Sequence, residues 1–210
     1  MKTIVICEKG SQRANIIAAI GDSFGQVLAA SGHLFTLATP EQYGPPWDDW
    51  RGFHVYRPAG DGWRMVPTSD PDEGRDKIGR AARETIGRAL ASAQRVYIAT
   101  DADREGEVIG REILDEFGFQ GEAFRVLFTS EDPATIRDAF AAARPARERE
   151  PIYQAGLARA RADYIWNFSL TRAATSALVQ AGARTVIGVG RVKSPTLAIV
   201  CRREIQILQH

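Results

Sequence analysis

Between Thr3 and Ala143, short β-branched runs alternate with amphipathic stretches, and that alternation leaves few folds open. Thr3–Cys7, Gln26–Ala30, Arg95–Thr100 and Phe124–Phe128 read as strands. Helices fall between them. One is capped by Ser11 and runs to Ile20, where Gly21 supplies a stop. Ile78, Ala82, Ile86 and Leu90 recur at near-helical spacing and predict a helix over Asp72–Ser92. Val108, Ile109, Ile113 and Phe117 mark the next helix, and Pro133–Ala143 another, capped by Asp132 or Ser130. Strands separated by helices run parallel and need cover on both faces, so the expected class is α/β, a mostly parallel sheet flanked by helices. Thr39–Pro71, rich in Pro, Gly, Asp and Trp, reads as an irregular excursion with one or two short strands.

After a charged linker at 144–150 the pattern becomes helix alone, so the expected division is an α/β domain at 1–150 followed by an all-α segment at 151–210. Pro151 opens a long apolar run that reaches Leu178 and ends at Gly182, with a break expected near Trp166–Ser169; Ser194 and Pro195 cap and open a last helix. Charge follows the same division: residues 151–210 hold eight basic and two acidic side chains, whereas 1–150 hold 19 and 24. Such asymmetry suits an acidic part that holds cations and a basic part that meets phosphates, although arginine-rich helices can also be plain solvated faces. No apolar run approaches the ~20 residues a membrane span needs, and Met1–Cys7 reads as a buried strand rather than a leader. Cys7 and Cys201 fit neither a zinc spacing nor a disulfide framework, which points to a reduced, cytoplasmic setting.

Chemistry concentrates in Thr100-Asp101-Ala102-Asp103-Arg104-Glu105-Gly106-Glu107. Asp101, Asp103 and Glu105 alternate directly after a strand, so in an extended turn they can converge on one hard cation. Ligands of open parallel sheets bind at the carboxyl ends of strands, and Glu8 also follows directly on a strand. If the two strands are neighbours, Glu8 and the acidic turn share a site. The structural alternative is that such acids cap the following helix and complement its dipole, the role favoured for Glu107. A calcium-loop match over Asp101–Glu112 lacks the preceding helix that motif needs.

Glu8-Lys9-Gly10-Ser11, then Gly32-His33-Leu34, then the acidic turn resemble in order and spacing the Toprim domain of type IA DNA topoisomerases. Ala158-Arg159-Ala160-Arg161-Ala162-Asp163, Thr171-Arg172-Ala173 and Gly188–Leu197 resemble the opening of that family's next, DNA-binding domain, most closely in bacterial topoisomerase III. The resemblance covers essentially the whole chain. Gly10, Asn167 and Lys193 depart from the family pattern, where Pro, Gly and Gln are usual.

What the resemblance implies is Mg2+-dependent cleavage, passage and resealing of single-stranded DNA, with no nucleotide cofactor and no membrane. Glu8 would exchange a proton with the departing 3′ oxygen and stand among the magnesium acids Asp101, Asp103 and Glu105. Lys9 would offset charge on the attacked phosphate, and Arg104 would touch that phosphate or pair with an acid. His33 and Asp163 would support the site from behind. Arg161, Arg172 and the loop Val189, Gly190, Arg191, Val192, Lys193 and Ser194 would contact the DNA strand. The nucleophilic tyrosine of the family lies in a domain past residue 210, so the missing tyrosine-bearing domain is an expected partner and the chain is expected to be inactive alone. A metal-dependent nuclease and a non-catalytic DNA-binding module are the alternatives, and Trp47, Trp50 and Trp63 are expected to pack rather than stack on bases.

Overall fold

The computed structural model describes residues 2–48, 50, 54–60, 62–70, 72–180 and 185–209, without the side chains of 179 and 180. Gly182 and Phe53 therefore lie outside the described residues. Two compact units are present, Met1–Thr36 with Met65–Leu157, and Leu37–Arg64 with Ala158–His210. By contacts, Leu37–Arg64, the larger part of the excursion, groups with the C-terminal segment, where Trp63 packs against Tyr164.

In the first unit the elements run β1 (Thr3–Cys7), α1 (Gly10–Ile20), β2 (Gln26–Ala29), β3 (Phe35–Leu37), β4 (Met65–Pro67), α2 (Glu73–Leu90), β5 (Arg95–Ile98), α3 (Arg104–Glu116), β6 (Glu122–Arg125), α4 (Pro133–Ala141) and β7 (Arg144–Pro145). The main sheet has the order β2-β1-β5-β6-β7, parallel except for β7, while β3 and β4 form a separate pair. Period-two alternation sends successive residues to opposite faces. Ile4 and Ile6 of β1 join Val96, Ile98 and the α2 and α3 residues Ile86, Leu90, Ile109 and Ile113 in one core. Val5 and Cys7 join Val27, Ile16 and Ile20 of α1, and Ile136 and Phe140 of α4 in the other. Burial of β1 on both faces explains its unbroken apolar sequence. The buried Cys7 thiol is pushed up to about 12 by that burial, so it is an inert core group.

Local capping departs from expectation in two places. Ser11 does not cap α1; the helix starts at Gly10 after Lys9, and the Gln12 side chain reaches back to accept the Glu8 N–H at 2.9 Å. Asp132 does cap α4, accepting from Thr135 N at 2.9 Å.

The long helix α5 (Glu150–Gln180) is continuous, with no break near Trp166–Ser169. Ser169 stays helical because its buried hydroxyl serves a tertiary bond, accepting Tyr56 N–H at 3.1 Å. In the second unit, Thr171 and Thr175, one turn apart on α5, take Val189 N–H at 2.9 Å and Ile187 N–H at 3.0 Å, which fixes that segment along the helix. The last helix, α6 (Lys193–Leu208), begins earlier than expected: Ser194 lies inside it, and its hydroxyl accepts Gly190 N–H at 3.0 Å.

Candidate metal and phosphate site

Register alone brings the acidic segments together. Ile6 pairs with Ile98, so Glu8 and Thr100 each stand two residues past the same rung. On the other side of β1, Cys7 pairs with Ala29, and the backbone stays joined beyond the strands through Ala30 N to Cys7 O at 2.9 Å and Gly32 N to Glu8 O at 3.2 Å. Ser31 and Gly32 take positive φ, 61° and 92°, which turns the chain so that His33 follows the end of β2. Three adjacent strand ends thus carry His33, Glu8 and the acidic turn.

Lys9 joins two of them. Its Nζ lies 2.7 Å from Asp101 Oδ2 and 3.3 Å from Glu8 Oε1. Those two contacts push the lysine up to about 12, Asp101 contributing most. Asp101 also accepts Gln12 Nε2 at 3.0 Å, so α1 supplies a second brace. Asp103 caps α3 through Gly106 N at 2.7 Å, and Glu105 meets His33 Nε2 at 2.9 Å. Glu112 stands 3.7 Å from His33 Nδ1, an ionic neighbour beyond hydrogen-bond range. The nearness of Glu112, opposed by burial and aided by Glu105, pushes His33 up to about 9; burial pushes Glu112 itself up, with His33 pulling the other way. Arg104, the first residue of α3, is exposed.

The turn rests on a buried polar brace that sequence reasoning did not foresee. Arg125, 2% exposed, donates to Glu107 at 2.9 Å and to the carbonyls of Ile98, Thr100, Val126 and Asp101, at 3.1, 2.9, 2.8 and 2.5 Å. Glu107 is therefore structural, as favoured, but as the fully buried partner of Arg125 and a neighbour of Arg149 at 3.5 Å rather than as an exposed helix-end charge. Close packing does the rest. A Cβ on Gly106 would stand 2.2 Å from Asp101 O, so only glycine lets the turn lie on α3. An arginine inside a strand, between Phe124 and Val126, was the available signal, since a buried charge needs a partner.

Among the described residues, no three His, Cys, Asp or Glu side chains lie close enough to cage a metal. The donor set still fits magnesium, which is ordinarily held by one or two carboxylates, with phosphate oxygens and waters completing its shell. Asp101 is about a third exposed, at 37%, and Glu105 at 61%, so hard oxygens face solvent there.

The basic residues of the second unit are differently placed. Arg172 is 1% exposed; its guanidinium pairs with Glu41, donates to the Trp47 carbonyl, and lies 4.8 Å from the Trp50 ring and 4.3 Å from the Tyr56 ring. The DNA contact expected of Arg172 is corrected accordingly: the side chain is buried, with no guanidinium surface left open to a strand. Arg191 forms a fork with Asp163, at 2.5 and 3.1 Å, which holds the Asp163 carboxyl below its usual range. Arg161 lies over the Trp63 ring at 5.5 Å, and Trp63 packs edge-on against Tyr164. Val189, Gly190, Val192, Lys193 and Ser194 stay together in the segment leading into α6.

Comparison with known proteins adds kinship. The Toprim domain family model matches residues 3–130, and the DNA topoisomerase model matches 147–210. DNA topoisomerase 3 of Haemophilus influenzae is 28% identical over 206 residues, covering 96% of this chain and 30% of that protein. DNA topoisomerase 3 of Bacillus subtilis is 30% identical over 220 residues, covering 98% and 28%. The chain thus spans under a third of the length of these relatives. Full-length topoisomerase I from Thermotoga maritima shares the fold, with a TM-score of 0.63 at 24% identity over 99% of this chain and 31% of that one.

Proposed function

We infer the chemistry of this chain from its kinship: it belongs to the Toprim family and is homologous, over nearly its whole length, to the N-terminal region of type IA DNA topoisomerases. On that premise we propose that it supplies the acidic, proton-handling half of a site that cuts and reseals single-stranded DNA in the cytoplasm. The observation that carries this reading is Lys9, held between Glu8 and Asp101 at the ends of neighbouring strands.

Glu8, 3.3 Å from Lys9 at the end of β1, is assigned the proton exchange with the leaving 3′ oxygen, giving the proton on cleavage and taking it back on resealing. Lys9, whose charge its acidic neighbours reinforce, offsets charge on the attacked phosphate. Asp101, with one of Glu8, Asp103 or Glu105 beside it, would hold magnesium, which supplies charge neutralisation and a template for the 3′ end. Arg104, exposed at the start of α3, is available to the same phosphate. His33 orients Glu105, and Asp163 holds Arg191 toward the strand-binding loop that also includes Val189, Gly190, Val192, Lys193 and Ser194.

The nucleophilic tyrosine is assigned to another domain of the same enzyme. In support, Tyr153 donates its hydroxyl to Asp115 at 2.6 Å, Tyr43 accepts Arg64 N–H at 2.9 Å, Tyr56 and Tyr164 are buried, and Tyr97 lies in a cluster with Phe24 and Phe124. Incubating the 210-residue chain with supercoiled plasmid and Mg2+ should leave the plasmid supercoiled and free of covalent protein. A DNA–protein adduct would contradict the assignment of the tyrosine, and nicking abolished by Asp101→Asn would replace the topoisomerase reading with a nuclease.

A further inference from the structure

Beside the acidic turn, the first unit contains a groove of about 350 Å³, walled by His33 and Leu34 on one side and by Arg75, Ile78, Gly79 and Arg83 of α2 on the other. Two of its features have no explanation within the fold. Gly79 lies inside an 18-residue helix, where glycine is the least favourable residue after proline. A Cβ built there would meet nothing within 4 Å, so no internal packing demands the glycine. Gly87 on the same helix is the contrast: its Cβ would fall 2.6 Å from the Phe117 ring, so packing alone accounts for it.

The second feature is charge. Asp70 and Asp76 also line the groove, but Arg75 lies 3.7 Å from Asp70, and Arg80 pairs with Asp76 at 2.9 Å. Arg83 makes no ion pair or hydrogen bond among the described residues, so it is the unbalanced cation of the groove. His33 connects groove and acidic turn, lining one and meeting Glu105 of the other at 2.9 Å. Ile78 adds apolar surface, 57% exposed.

We propose that this groove binds one nucleotide of a single DNA strand running out of the acidic site, its phosphate on Arg83 and its base lying over Gly79 against Ile78. A missing side chain lets a flat ring approach the helix backbone closely, and a guanidinium forks onto phosphate oxygens. The proposal rests on the reading that the chain binds single strands, and it adds a contact face on α2.

The test is fluorescence anisotropy of a labelled oligothymidylate with the 210-residue chain at low salt, together with thermal melting. Gly79→Leu fills the groove while improving the helix, so melting should hold or rise while affinity falls about fivefold or more. Arg83→Glu should weaken binding about tenfold, and Lys77→Glu, the same charge change on α2 outside the groove, less than about twofold. Wild-type affinity in both groove variants would overturn the groove alone, as would an equal loss in Lys77→Glu, which would reduce the effect to bulk charge. Wild-type chain that binds no oligothymidylate would remove both the groove and the single-strand reading beneath it.

Discussion

The acidic turn of the first unit and the basic segments of the second were both legible as clusters of charge, yet they use that charge in opposite ways. Around Asp101 the interior holds the backbone from below through Arg125, Glu107 and Gly106, and Asp101 and Glu105, though bonded to Lys9, Gln12 and His33, stay partly open to solvent. In the second unit the charged side chains themselves do the bracing. Arg172 is buried against Glu41 and two aromatic rings, and Arg191 is forked onto Asp163. A charge is free for a ligand only where other groups position the chain.

That contrast can be broken at its two buried arginines first. Arg125→Ala leaves Glu107 in the core with only Arg149, 3.5 Å away, and should cost about 3–5 kcal/mol in chemical denaturation; Arg172→Ala leaves Glu41, 41% exposed, to water and should cost less. Arg125→Ala should also erode divalent-ion binding, whereas Arg172→Ala should not. Equal loss of ion binding in both would mean that Arg125 acts only through global stability.

A smaller effect comes from His33. Its folded pKa, pushed up to about 9 chiefly by Glu112, exceeds the ordinary value of 6.5, so the stability it adds is fully present below pH 6.5 and is lost as pH rises through 9. The ring is partly open to water, 35% exposed. Solvent screening therefore trims that contribution to on the order of 1 kcal/mol. His33→Gln should flatten the stability profile over this window; an unchanged slope would assign the pH dependence to other groups.

The smallest expected effect sharpens the second unit. Freeing Asp163 by Arg191→Ala should weaken single-strand binding a few-fold and lower the salt slope by about one. An unchanged slope would mean the Arg191–Asp163 fork never opens to phosphate.

What could be read from sequence followed from periodicity. An unbroken apolar run ended by a charge marks the carboxyl end of a buried strand, and that was enough to set Glu8 beside the end of β5 once the two strands were neighbours. Caps and partners were less legible because they depend on side-chain reach. Gln12 rather than Ser11 serves the start of α1, and Ser169 stays helical because a residue more than a hundred positions away donates to it. Arg172 looked like a phosphate ligand because its sequence neighbours carry no trace of Glu41, Trp50 or Tyr56, which reach it only in the folded unit.

The most direct test of the account is a Mg2+ titration of the chain followed by backbone amide NMR, repeated with Asp101→Asn. Saturable shifts centred on Glu8, Lys9, His33 and the Asp101–Gly106 turn, lost in the variant, are the result expected. Shifts that spare Glu8 and the turn, or that persist undiminished in Asp101→Asn, would contradict a shared cation site at the ends of β1 and β5.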